Sequence, residues 1–304
     1  MLRAVKRLSI AVVGPGRLGT ALAVSLAQTG YRISEIISRQ DRKSLAATRR
    51  LLRKVGAHAA HTRSARLDAD VIWFCVPDSK IGEAAREYSG RDWKGKVAFH
   101  SSGVFASDVL QLLRDRGASV ASVHPLMTFV RGSVPVLPGV TFAVEGDTRA
   151  VRIARHIVRD LGGEILLLRK HDKAAYHAFA TMICPLLVSL LASAERVAGL
   201  AGIPRQQARR RMLPIIEQTL RNYAGLGPAK AFTGPIVRGD LETIGVHLQT
   251  MTALPAAREA YVGLAKAAVE YLPIRHRSKL VALVESQSTF SHGFTRIFTD
   301  QKTL

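Results

Sequence analysis

Three short runs in this 304-residue sequence place proton-handling side chains beside backbone-freeing or backbone-fixing residues: H-S-S-G at 100–103, H-P-L-M at 124–127 and K-A-A-Y-H at 173–177. Imidazole titrates near neutrality, so His124 and His177 are candidate catalytic acids or bases. Lys173 can polarise a carbonyl, and offsets of three, four and eight residues bring Tyr176, His177 and Thr181 near it on one helical face. His100 and Ser102 can hold a substrate carboxylate at a turn. In T-G-P-I-V-R-G-D, 233–240, Gly234 and Gly239 free the backbone and Pro235 stiffens it. Arg238 there can clamp a carboxylate or phosphate through two parallel hydrogen bonds, and Asp240 suits an N-cap. Plainer roles stand beside each of these: a core histidine, a lysine stem lying along an apolar surface, a serine capping a helix. Ten histidines occur without H-E-x-x-H or paired-cysteine spacing, so no metal site is expected.

The elements that must position these groups start with S-I-A-V-V-G-P-G-R-L-G, residues 9–19. Ile10 to Val13 is a short β-branched run suited to a strand buried on both faces. Leu18, Ala21, Leu22 and Leu26 recur at helical spacing, with Gly30 as a stop. Gly14, Gly16 and Gly19 therefore occupy a strand-to-helix turn. There G-x-G-x-x-G allows a tight turn, close approach of a pyrophosphate and close helix packing, while the free N–H groups of the helix end attract the diphosphate. Pro15, Arg17 and Leu18 complete that turn. The next strand ends at Ile37 and is followed by Ser38 and Arg39, with Arg42 and Lys43 beyond, where an acid would hold a ribose 2′-hydroxyl. A hydroxyl and cations there favour a 2′-phosphate, hence NADP as cofactor. Val76 and Pro77, after the apolar run V-I-W-F-C, and Ser101 of H-S-S-G are further cofactor-binding candidates beyond strand ends.

With 47% hydrophobic residues the chain can bury a sizeable core, and its length suggests two domains. Lys and Arg number 44 against 23 Asp and Glu, a net charge of +21. The arginines are scattered along helical patterns without aromatic interleaving, so a basic surface that attracts anionic substrates is expected, and no specific nucleic-acid partner. Two cysteines, both inside apolar runs, give no disulfide framework and fit a reducing cytoplasm. The basic N-terminus runs straight into the glycine turn with no small-residue cleavage site, unlike a signal peptide. The apolar stretch 178–202 contains Pro185 and Glu195 and reads as a buried core helix, not a membrane span.

Up to residue 168, apolar runs at 70–78, 96–103, 121–129, 140–147 and 164–169 alternate with helical patterns, which predicts a parallel, doubly wound sheet of seven or eight strands. From 169 to 304 strand signals cease. Helices are expected over about 172–200, 204–224, 239–253, 256–272 and 277–286, with a long Gly/Pro-rich connection at 226–240. The fold class is α/β: a nucleotide-binding sheet domain over 1–168, then an all-α domain over 169–304.

In order along the chain, G-P-G-R-L-G, V-P-D, H-S-S-G, H-P-L-M-T-F, Y-H-A-F-A-T and G-P-I-V-R-G-D resemble a bacterial Rossmann-like family catalogued as domain of unknown function 2520. Its relatives include pyrroline-5-carboxylate reductase, 6-phosphogluconate dehydrogenase and deazaflavin-dependent NADP reductases. The resemblance implies an N-terminal NADP-binding domain, a helical C-terminal domain that commonly dimerises, and a substrate cleft between them. T-M-I-C-P-L-L stands where pyrroline-5-carboxylate reductases carry a Ser/Gly-rich substrate turn, and the Lys-x-x-Asn pair of hydroxyacid dehydrogenases is absent. The expected activity is NADP-dependent hydride transfer to or from a small anionic carbonyl or imine substrate. The alternative is a non-catalytic NADP-binding sensor or scaffold.

Overall fold

The computed structural model describes residues 7–38 and 42–286. Eight strands form one sheet among these residues, in the order β3-β2-β1-β4-β5-β6-β7-β8. They are β1 (Ser9–Val13), β2 (Arg32–Ser38), β3 (His58–His61), β4 (Val71–Phe74), β5 (Val97–His100), β6 (Ser119–Pro125), β7 (Thr141–Gly146) and β8 (Glu164–Leu167). Helices α1 (Arg17–Gln28), α2 (Arg42–Val55), α3 (Asp78–Tyr88), α4 (Gln111–Arg114) and α5 (Thr148–Asp160) connect them.

Successive strand residues supply two separate cores. Ile10, Val12, Trp73 and Phe99 pack with Leu22 and Leu26 of α1 and Ile157 of α5. Their alternates Ala11, Val13, Ile72, Phe74 and Ala98 pack with Ile81, Ala85 and Tyr88 of α3 and with Trp93. A period of two on strands covered on both faces explains why the runs read as uninterrupted apolar stretches.

Neighbouring strands are parallel except β6 and β7, which pair antiparallel with His124 opposite Ala143. This corrects the fully parallel expectation. Residues 126–140 between these strands contain no helix to carry the chain back across the sheet, so it returns alongside instead. Strand β3 also went unread, because H-A-A-H has no apolar run to signal it.

The chain divides into two compact units, 1–184 and 185–304. The first ends with α6 (Lys173–Thr181) and part of a π-helical turn at Met182–Leu186 that contains Pro185. The second holds α7 (Leu187–Leu200), α8 (Arg205–Leu226), α9 (Pro228–Ala231), α10 (Pro235–Arg238), α11 (Leu241–Thr250), α12 (Pro255–Tyr271) and α13 (Arg277–Ser286). Its core joins Ile244 and Leu248 of α11, Val262, Ala265 and Val269 of α12 and Leu280 and Val284 of α13. Asp240 caps α11, its carboxylate accepting from the Thr243 N–H at 3.2 Å and the Thr243 hydroxyl at 2.8 Å. The connection at 226–240 includes the short helices α9 and α10.

The stretch expected to be a buried core helix is not buried within the chain: Met182 is 66% exposed, Val188 62% and Leu186 53%. The apolar composition was read correctly.

Candidate active site

Strands β1, β4, β5 and β6 run parallel, so their C-terminal ends share one edge of the sheet. The order of connection reverses between β1 and β4, the place where open α/β sheets leave a crevice for ligands. Gly14 follows β1 there with φ +98°, which favours glycine, and a side chain would stand 2.9 Å from the Cys75 carbonyl oxygen. A Cβ on Gly19 would collide with the Gly14 carbonyl oxygen and stand 3.0 Å from Cys75 Cβ. Gly16 is different: it is exposed, caps the N-terminus of α1, and a Cβ there would meet nothing within 4 Å. Two glycines thus close the turn against β4 and one leaves open space at a helix N-terminus whose first turn has no acidic residue.

Around it, Pro15 is half-buried, Arg17 is exposed as the first residue of α1, and Leu18 packs against the core. Ser38 ends β2 with 6% of its surface exposed. Arg39 lies outside the described residues. Val76 is half-buried and Pro77 exposed at the start of α3.

The H-S-S-G turn is built from inside. His100 is fully buried, its Nδ1 accepting from the Ser102 N–H at 3.1 Å and its Nε2 lying 3.2 Å from the Ala106 carbonyl oxygen. The Ser102 hydroxyl donates to Asp78 Oδ2 at 2.8 Å and accepts from the Val104 and Phe105 N–H groups. Both side chains expected to contact substrate are therefore engaged in folding the turn. Ser101 is half-buried, its hydroxyl oxygen accepting from Trp73 Nε1 at 2.8 Å.

Lys173 is 1% exposed, its Nζ donating to the Ser102 carbonyl oxygen at 3.0 Å and to Ser122 Oγ at 2.7 Å. Burial lowers its pKa to about 8, with Glu145 and Asp78 opposing the fall. Its ammonium ties α6 to the β5 turn and to β6. Beside it, His124 Nδ1 lies 2.9 Å from the Tyr176 hydroxyl, with the rings edge-to-face at 5.5 Å between centroids. His177 stands edge-to-face with His124 at 6.1 Å. Burial, then the Lys173 charge, then His177 hold the His124 pKa down at about 4, while burial raises Tyr176 to about 12. Burial, then Lys173, lowers His100 to about 3. At neutral pH His124 and His100 are uncharged imidazoles and Tyr176 keeps its proton.

Three of the expected groups, His124, His177 and Lys173, thus come together, and they do so inside the first unit. Arg238 is exposed at the end of α10 in the second unit, where Gly239 at φ +65° packs against the Arg275 carbonyl oxygen. Sequence reading placed Tyr176 on the right helical face without giving it a task, and missed Ser122 altogether. A serine in the middle of the apolar run V-A-S-V was the available signal. Gly103 was also under-read: a side chain there would stand 3.0 Å from His124 Nε2 and collide with the His177 ring.

Residues 2–125 match the family model of a Rossmann-like domain, and residues 140–268 match the model described as domain of unknown function (DUF2520). No curated protein matches the sequence. Among solved structures, the chain is similar to a Bacteroides fragilis protein provisionally described as an NADP oxidoreductase, with 23% identity and a TM-score of 0.74 over 87% of this chain and 98% of the other. It is also similar to a reductive aminase from Aspergillus terreus solved with NADPH and ethyl-5-oxohexanoate, at 18% identity and TM-score 0.65 over 91% and 99%. A pyrroline-5-carboxylate reductase from Coxiella burnetii matches at 15% identity and TM-score 0.54 over 85% and 97%.

Proposed function

We propose that this protein is an NADPH-dependent reductase acting on the C=O or C=N bond of a small anionic substrate. The observation that carries the reading is the shared sheet edge: the open glycine turn follows β1, and His124, in the last residues of the parallel strand β6, meets His177 of α6 in the same unit. The names of the solved structures that the chain is similar to, a provisionally described NADP oxidoreductase, a reductive aminase solved with NADPH and a pyrroline-5-carboxylate reductase, support it.

Gly14, Gly16 and Gly19 with Pro15, Arg17 and Leu18 fit a dinucleotide diphosphate, since Gly16 leaves its backbone open where the N–H groups of α1 converge. Ser38 and Arg39 are assigned the 2′-phosphate, and Val76, Pro77 and Ser101 the sugar and nicotinamide. When bound, NADPH supplies the hydride. His124, neutral at working pH, hydrogen-bonds the substrate heteroatom and draws the π electrons of the double bond toward it as carbon is reduced. His177 gives that heteroatom the completing proton and regains one from water. Lys173 acts through the fold: it holds the H-S-S-G turn in place and keeps a positive charge beside His124.

The exposed apolar residues of the helical region are proposed to pair with a second copy of the chain. The stretch Lys170–Leu200 is long and apolar enough to cross a membrane, with none of its most apolar window buried. Lys173, at the start of that stretch, is held by hydrogen bonds to the β5 turn and to β6.

The test is a thermal-shift titration with NADPH, NADP, NADH and NAD side by side, because binding to the folded state raises Tm by mass action. NADPH and NADP should stabilise the protein and the other pair much less. No shift with any of the four would sink the reading. In the same protein His124→Ala should keep the NADPH shift and lose turnover of a carbonyl or imine.

A further inference from the structure

His124 and Tyr176 share one hydrogen bond between two neutral groups, and its direction decides which ring nitrogen of His124 can meet a substrate. The Nδ1 to Oη distance is 2.9 Å and Tyr176 is 7% exposed. Two arrangements satisfy that distance. If Nδ1 carries the proton, the tyrosine oxygen accepts, and the phenol's own proton needs a second acceptor. If Tyr176 donates, Nδ1 is the acceptor and the imidazole proton sits on Nε2. Among the described residues the Tyr176 hydroxyl has no hydrogen-bond partner besides His124. The first arrangement therefore leaves the O–H of a largely buried tyrosine without an acceptor, whereas the second satisfies both members of the bond and leaves only the Nε2–H, on a half-buried ring, to meet a group from outside the protein.

The other nitrogen faces the opposite way. A Cβ on Gly103 would stand 3.0 Å from Nε2 and collide with the His177 ring, so the bare glycine is what lets the H-S-S-G turn approach that side of His124. Among the described residues Nε2 has no protein acceptor.

We propose that Tyr176 is a positioning residue: it donates its hydroxyl proton to His124 Nδ1 and so fixes the tautomer that carries Nε2–H on the side of the ring facing Gly103 and His177. His124 is then a hydrogen-bond donor to the substrate heteroatom and not a base. This rests on the reading of His124 as the group that meets substrate, and it makes His177 the group that must supply the proton. It also favours substrates whose reacting atom is an acceptor, a carbonyl oxygen or imine nitrogen, over an alcohol or amine that must be deprotonated.

The direction of the bond has a sign that can be measured without substrate or cofactor. A donor to Nδ1 stabilises the neutral ring and resists its protonation; an acceptor beside an Nδ1–H stabilises the cation. The charged and titratable groups around the ring are Lys173 and His177 from α6 and His100 from β5, and Tyr176→Phe leaves all three in place. Nitrogen-15 NMR of histidine-labelled protein, with His124 assigned from the signal lost in His124→Gln, gives both the tautomer and the titration midpoint. The expected result is Nε2–H in the wild type and, in Tyr176→Phe, a midpoint raised by about one pH unit. Nδ1–H in the wild type, or a midpoint lowered or unmoved by Tyr176→Phe, overturns the proposal. The phenylalanine variant keeps the ring, and an unchanged melting curve shows that it is folded. Should NADPH fail to bind while the tautomer is as stated, the reductase reading falls and this assignment stands.

Discussion

The three glycines of one turn do different physical work, so their substitutions separate folding from ligand binding. Gly16→Ala adds a methyl group where nothing stands within 4 Å, whereas Gly19→Ala drives one into the Gly14 carbonyl oxygen. The first variant should melt like the wild type and lose most of its NADPH-dependent stabilisation, because the methyl group occupies the space left for the diphosphate. The second should be destabilised by about 1–3 kcal/mol, the usual cost of overpacking a tight contact. Melting curves with and without NADPH check both, and a Gly16→Ala protein that still gains full stability from NADPH would remove the diphosphate from this turn. At this scale the sequence was a good guide wherever a residue type has one strong reason to be present. Gly14, Gly16 and Gly19 were legible for that reason. His100 and Ser102 were not, since a histidine and a serine at a strand end look the same whether they bind a ligand or tie the turn together.

Element by element, the sequence declared whatever had a continuous apolar pattern. Strands β1, β4, β5, β6 and β7 and helices α1, α3, α8, α11 and α12 fall on the expected stretches within a few residues. β3 and the antiparallel turn of β7 escaped, the first for want of apolar residues and the second because strand direction depends on how the chain returns, not on local composition. Helix α7 was misjudged instructively. Its apolar residues were assigned to the interior, and they lie open: Val188 is 62% exposed, and on α8 Ile215 is 68% exposed. A single chain leaves this surface in water at a cost of roughly 25 cal/mol per Å² of apolar area, which a second copy would recover. Val188→Asp and Ile215→Asp should therefore shift the protein from dimer to monomer in light scattering at unchanged helical content. A wild type that is monomeric at all concentrations would show that the face has another use.

For the molecule as a whole, the buried histidines predict acid sensitivity confined to one unit. His100 and His124 have an ordinary pKa of 6.5, lowered to about 3 and about 4 in the folded chain. Between pH 6.5 and 4 the unfolded chain therefore binds protons that the folded chain refuses, and folding stability falls as pH falls through that window. Each histidine contributes on the order of 1.4 kcal/mol per pH unit there. The carboxylates with lowered values, Asp108, Asp172, Asp240 and Glu195, titrate from ordinary values of 3.8 to 4.5, so their loss adds chiefly at the acid end. The window from 6.5 to about 4.5 belongs to the histidines, and both lie in the first unit. Urea unfolding followed at several pH values should show the sheet unit weakening through this range. His100→Asn, whose amide oxygen can still accept from the Ser102 N–H, should lower stability at pH 7 by losing the Ala106 contact and yet flatten the slope below pH 6.5. A slope unchanged in that variant would mean that His100 takes up its proton in the folded state, which is incompatible with the sealed turn that holds Gly103 against His124.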